Sequence, residues 1–131
     1  MLTADDLARI SPAEKRTELV RGRMVVREPA GFRHGDVAMA IALAIGHFLR
    51  THASGRLVAA ETGFVLSTNP DTVRAPDVAF VRNERIPDPL PRGYARFAPD
   101  LVVEVLSPDD RPGEVLERLP TGLAPERASF G

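Results

Sequence analysis

The chain has 131 residues, 44% of them hydrophobic and 27% charged, which suits one folded domain of the usual ~100–200 residues and not a disordered segment. It contains no cysteine, so a disulfide framework, a thiolate metal site and a cysteine nucleophile are all excluded. The formal net charge of -1 supplies no global basic field for nucleic acid. Within that balance stand sixteen arginines and one lysine, Lys15. Codon usage accounts for the skew blandly, since Arg, Ala, Gly and Pro are all plentiful. Its consequence is that a mechanism requiring lysine has one candidate.

The longest apolar stretch, Val37 to Leu49, is interrupted by Gly46 and His47 and is shorter than the ~20 residues that span a bilayer. The N-terminus carries Asp5 and Asp6 where an export signal would carry basic residues, so a cytoplasmic location is expected. Ten of the twelve prolines lie from Pro70 onward. The first half can therefore hold long regular elements, and the second must be short pieces joined by turns.

Thr3, with Asp6 three residues later, can cap a short helix, and Ser11-Pro12-Ala13-Glu14 repeats that logic. Residues 18–20 and 23–26 flank Arg21-Gly22 and predict a β-hairpin. Residues 33–52 predict the clearest helix: Val37, Ile41, Ile45 and Phe48 recur at helical spacing among alanines. Met39 and Leu43 extend its apolar surface nearly all round, so the helix is expected to be buried against a sheet. Strands are expected over 56–60, 63–67 and 77–81, with a turn at Asn69-Pro70-Asp71. Residues 84–99 read as a proline-rich loop anchored by Tyr94 and Phe97. Residues 101–106 read as a central strand covered on both faces, apolar except at Glu104. A helix of roughly two turns is expected from Pro112 until Pro120 stops it. The domain is thus expected over 1–119, with an irregular tail over 120–131.

Two carboxylates sit where apolar residues would be expected. Asp77 opens a strand directly after Pro76, and Glu104 lies within an apolar run. A buried carboxylate without compensation costs several kcal/mol. Two acids from neighbouring strands could hold Mg²⁺, which takes oxygen ligands and keeps several waters. An arginine paired with Glu104 across a sheet would satisfy it equally well.

The string Arg74-Ala75-Pro76-Asp77-Val78-Ala79-Phe80-Val81, followed by Pro99-Asp100-Leu101-Val102-Val103-Glu104-Val105-Leu106-Ser107-Pro108, resembles a bacterial family of restriction-endonuclease-like proteins in the PD-(D/E)XK nuclease superfamily. Glu18-Leu19-Val20-Arg21-Gly22 is similar to the family's N-terminal hairpin motif. Arg33-His34-Gly35 and Glu61-Thr62-Gly63-Phe64 also match its habit. Each string is weak alone; their order and spacing over residues 5–118 are fairly specific.

The resemblance implies an α/β (α+β) fold, a mixed sheet flanked by helices. It implies that Asp77 and Glu104 bind Mg²⁺ or Mn²⁺, that Val105 lends its backbone carbonyl to the metal, and that Glu18 is an accessory acid. The implied reaction is hydrolysis of a DNA phosphodiester by in-line attack of an activated water. The superfamily's lysine has Arg118 in its place here, and arginine presents its charge differently. Lys15 lies outside the motif. The pattern also breaks near residue 119, where Pro120, Gly122 and Pro125 replace a longer helix and the family's last strands are missing. A truncated or frame-shifted product with impaired activity is the expectation. Loss of cover would leave an open edge or an apolar patch, and a homodimer is compatible with such a surface. The alternative to an impaired nuclease is a non-catalytic remnant or interaction module that keeps the fold. A sugar hydrolase ranks last, for the chain has no Trp and one Tyr.

Other polar residues have plainer readings. Glu61 reads as an exposed strand-end acid and His34 as polar surface in a first helical turn. His47 and His52 lack partners at zinc-ligand spacing. Ser107 lacks a nucleophile-elbow motif, and Asp109 and Asp110 read as turn acids. Arg21, Arg23 and Arg33 could contact phosphates or simply be solvated.

Overall fold

A computed structural model describes residues 1–10 and 16–107. The helices expected from Ser11 and Pro112, together with Lys15, Asp109, Asp110, Arg118 and the 120–131 tail, lie outside the described residues. Helix α1 (Ala4–Ile10) opens on the expected capping box. Thr3 Oγ1 accepts the Asp6 N–H at 3.1 Å, and Asp6 Oδ2 accepts the Thr3 N–H at 3.0 Å. The box fixes where the helix begins, and the helix then buries Ala4 and Leu7.

Strands β1 (Arg16–Val20) and β2 (Arg23–Arg27) form the expected hairpin, with Val20 opposite Arg23. Arg21 and Gly22 both have positive φ, 48° and 80°, as a two-residue type I′ turn requires. Strand β4 (Phe64–Ser67) and the short β5 (Thr72–Arg74) complete an antiparallel sheet in the order β2-β1-β5-β4. The sequence does not reveal β5. Three residues are too few to show a period, and the turn residues at 69–71 and Pro76 crowd it from both sides.

A second antiparallel sheet has the order β3-β6-β7, from β3 (Gly55–Ala59), β6 (Val78–Arg82) and β7 (Leu101–Val103). The class is α+β, as expected. The pairing is antiparallel throughout the named strands, and a single isolated parallel bridge joins Phe64 to Ala95. Only Ala75-Pro76-Asp77 separates β5 in the first sheet from β6 in the second. That short crossing carries one of the two anomalous carboxylates.

Strand β4 serves two cores through its alternating side chains. Phe64 joins Ala79, Val81, Ala95 and Val102, whereas Val65 joins Leu7, Leu19 and Val73. The 84–99 loop is anchored as its aromatics predict. Phe97 meets Phe64 edge-on at 6.3 Å, and Tyr94 packs against the second cluster.

Two expectations need correction. Strand β7 is three residues long, shorter than the expected 101–106, and among the described residues it pairs with β6 alone. Val102 packs in the first core, and Val103 is buried opposite Val78 of β6. Helix α2 (Phe32–Thr51) has no buried residue, although its apolar surface predicts burial against a sheet. It rests mainly along β3, and Met39, Leu43 and Phe48 remain 54–65% exposed. Helical periodicity reports apolar faces; it does not supply the layers that would cover them. Among the described residues, no helix is long and apolar enough to cross a membrane.

Candidate metal centre

The register of β6 on β7 pairs Val78 with Val103, Ala79 with Val102 and Phe80 with Leu101. One step outside the Val78–Val103 pair, the same antiparallel count would set Asp77 opposite Glu104. Directly opposed residues project to one face of a sheet, with Cβ atoms ~4.5–5.5 Å apart. Asp77 is 3% exposed and Glu104 6%. Asp77 Oδ1 and Glu104 Oε2 both have essentially no solvent access. Both acids are buried, and each lies one residue outside the β6–β7 ladder, at the same end of it.

Asp77 Oδ2 accepts the backbone N–H of Val105 at 2.8 Å. The same oxygen lies 3.2 Å from His34 Nε2, with both side chains largely covered. His34 comes from the first turn of α2, above a groove of about 370 Å³ lined also by Gly35, Ala38, Leu57 and Val58. Small residues on that side of α2 let the helix approach β3 and bring the imidazole to Asp77. His34 was expected to be polar surface. The signal available in the sequence was its place in Arg33-His34-Gly35, inside one of the strings that carry the family resemblance.

Glu18 is 2% exposed and reaches the crossing that bears Asp77. Its Oε2 accepts the Ala75 N–H at 2.8 Å. Its Oε1 lies 3.5 Å from Arg74 Nη1 and 3.8 Å from Arg27 Nη1. Two guanidinium groups thus lie beside Glu18, a kind of pairing the sequence suggested for Glu104. Glu18 is engaged two residues upstream of Asp77, by a backbone donor and two guanidinium groups.

The remaining sequence candidates separate cleanly. Glu61 is exposed in the turn after β3, at φ 71°. His47 is exposed, and His52 stacks on Phe48 at 4.2 Å while its N–H caps α2. Arg21, Arg23 and Arg33 are exposed. Arg118 falls outside the described residues.

The donor chemistry fits a hard divalent cation. Mg²⁺ is commonly bound by one or two carboxylates plus water, and Asp77 and Glu104 offer that number. Among the described residues, no three His, Asp or Glu side chains form a closed metal cage. A cation here would therefore keep solvent or substrate ligands, as an ion that engages a phosphate must.

Two antiparallel sheets with flanking helices define an α+β fold. A crystal structure from Anabaena variabilis, described as a "putative nuclease belonging to DUF820", superposes with a TM-score of 0.74 at 19% identity, covering 89% of this chain. This chain spans 65% of that protein's length. The sequence profile of the Uma2 family, described as "Putative restriction endonuclease", matches residues 4–120. The chain belongs to the Uma2 family. No curated protein matches it significantly.

Proposed function

We propose that the protein is a metal-dependent phosphodiester hydrolase of the nuclease type, with DNA as substrate and Asp77 and Glu104 as the carboxylates that hold Mg²⁺ or Mn²⁺. The observation that carries this reading is the register-opposed burial of Asp77 and Glu104 at the end of β6 and β7. Family membership supports the reaction class. When bound, the cation would activate water and neutralise charge on the phosphate. The protein's own residues supply the frame. Asp77 and Glu104 present oxygens from adjacent strands, and the Val105 N–H holds the Asp77 carboxylate. The Val105 carbonyl is a further donor in this reading. Glu18 fixes the Ala75 backbone, so it acts on the centre through the crossing.

Activity is expected to be low, because Arg118 stands where the superfamily's lysine is expected and arginine places its charge in a different geometry. The test is Mg²⁺- or Mn²⁺-dependent nicking of plasmid DNA by the wild type, Asp77→Ala and Arg118→Lys. Nicking that rises in Arg118→Lys and vanishes in Asp77→Ala supports the reading. If all three are inert and none binds metal, the chain is a non-catalytic module that keeps the fold.

A further inference from the structure

We infer that His34 is a positioning residue for the metal centre: with the Val105 N–H it clamps Asp77 Oδ2 and so directs Oδ1 to the cation. This inference rests on the carboxylate centre proposed above. The carboxyl torsion of an aspartate is broad and roughly two-fold, so an unrestrained Asp77 would exchange its two oxygens. Here one oxygen takes both contacts, Val105 N at 2.8 Å and His34 Nε2 at 3.2 Å. They arrive from opposite parts of the fold. Val105 follows β7, beside Glu104, and His34 descends from α2 across the groove. Rotation of the carboxylate would break both contacts together.

The roles of the atoms follow from their chemistry. An ionised carboxylate only accepts hydrogen bonds, so the proton of this contact sits on Nε2. A ring nitrogen that donates there has no lone pair left for a metal. Nε2 is thereby committed to Asp77, so the role inferred for His34 runs through that carboxylate. It also gives Val105 a defined part, through its N–H, that does not depend on the fate of its carbonyl.

The role predicts a specific pattern of metal binding. Partners that orient metal ligands typically change affinity 10–100-fold when removed. Mn²⁺ binding should be measured by titration calorimetry for the wild type, His34→Ala, His34→Gln and Asp77→Ala. Glutamine can place an amide N–H near the position of Nε2. His34→Ala should weaken Mn²⁺ binding by about 10–100-fold, and His34→Gln should recover most of that loss. Pulsed EPR of Mn²⁺ on the wild-type protein should show no coupling to an imidazole nitrogen.

Three results would overturn the inference. These are an unchanged Mn²⁺ affinity in His34→Ala, a His34→Gln variant as weak as the alanine variant, or a directly bound imidazole in the EPR spectrum. The last does not require His34→Ala to fold. If Asp77→Ala binds Mn²⁺ as the wild type does, or the wild type binds none, the carboxylate centre itself fails and the His34 role falls with it. If Asp77→Ala abolishes binding and His34→Ala does not weaken it, only the His34 role fails.

Discussion

Glu18 Oε2 accepts the backbone N–H of Ala75 at 2.8 Å, and that bond ties the first sheet to the crossing that carries Asp77. The carboxylate is buried beside Arg74 and Arg27, so its removal strands positive charge away from water. Glu18→Ala is expected to destabilise the fold by ~3–5 kcal/mol, as loss of one partner from a buried ionic cluster does. Glu18→Gln keeps an acceptor for Ala75 and should cost less. Urea denaturation of the three proteins checks the order, and equal stability of Glu18→Ala and wild type would show that the cluster carries no net stabilisation.

Asp77 poses the opposite problem, a buried carboxylate facing a second one. In the proposed centre, two carboxylates without a cation would repel each other, whereas Asp77→Asn keeps an acceptor for the Val105 N–H. The variant should be as stable as wild type or up to about 2 kcal/mol more stable without metal. It should also lose the thermal stabilisation that added Mn²⁺ gives the wild type. Melting curves with chelator and with Mn²⁺ test both halves. A metal-free variant clearly less stable than wild type would contradict the repulsion argument.

Phe64 is 1% exposed and fills the first core between Val81, Val102 and Ala95. Phe64→Ala should cost ~3–5 kcal/mol through lost transfer energy and a residual cavity. A loss under about 1 kcal/mol in urea denaturation would mean that the neighbours collapse into the space.

Gly22 has φ 80°, and a Cβ there would stand 2.8 Å from Met1 Cβ. Gly22→Ala should therefore destabilise the hairpin by ~1–2 kcal/mol. Gly31 makes a control, because a Cβ there meets nothing within 4 Å. Similar melting temperatures for Gly22→Ala and Gly31→Ala would refute the strain.

The pH limits have assignable contributors. Hydrogen bonding from the Thr3 backbone N–H, then its hydroxyl contact, lowers the Asp6 pKa. The stability Asp6 contributes is present above the ordinary Asp value and is lost as pH falls through its lowered folded value. Burial raises the Tyr94 pKa. Its contribution is present below the ordinary Tyr value and is lost as pH rises through the raised one. Asp6→Asn should flatten the acid limb of stability against pH, and Tyr94→Phe the alkaline limb. Limbs unchanged in the variants would assign the pH dependence elsewhere.

The elements with strong local signals were legible from the chain alone. The Thr3–Asp6 box, the Arg21-Gly22 turn and the long α2 each depend on residues close in sequence, and the structure has all three. Strand β5 was not legible, because it exists through its pairing with β1 and β4. The exposure of α2 and the short length of β7 were equally hidden. Cover and sheet order belong to distant segments, and an apolar pattern does not name its partner.

The sequence by itself determined the fold class, through the order of its motifs, and marked Asp77 and Glu104 as acids in apolar surroundings. Burial costs make such residues conspicuous wherever they occur. Tertiary structure alone decided what surrounds them. The register of β6 on β7 set the two acids opposite each other, the reach of β1 gave Glu18 to Ala75, and the approach of α2 to β3 brought His34 to Asp77. Those three relations join residues 27 to 57 positions apart, and no local pattern encodes a distance across that much chain.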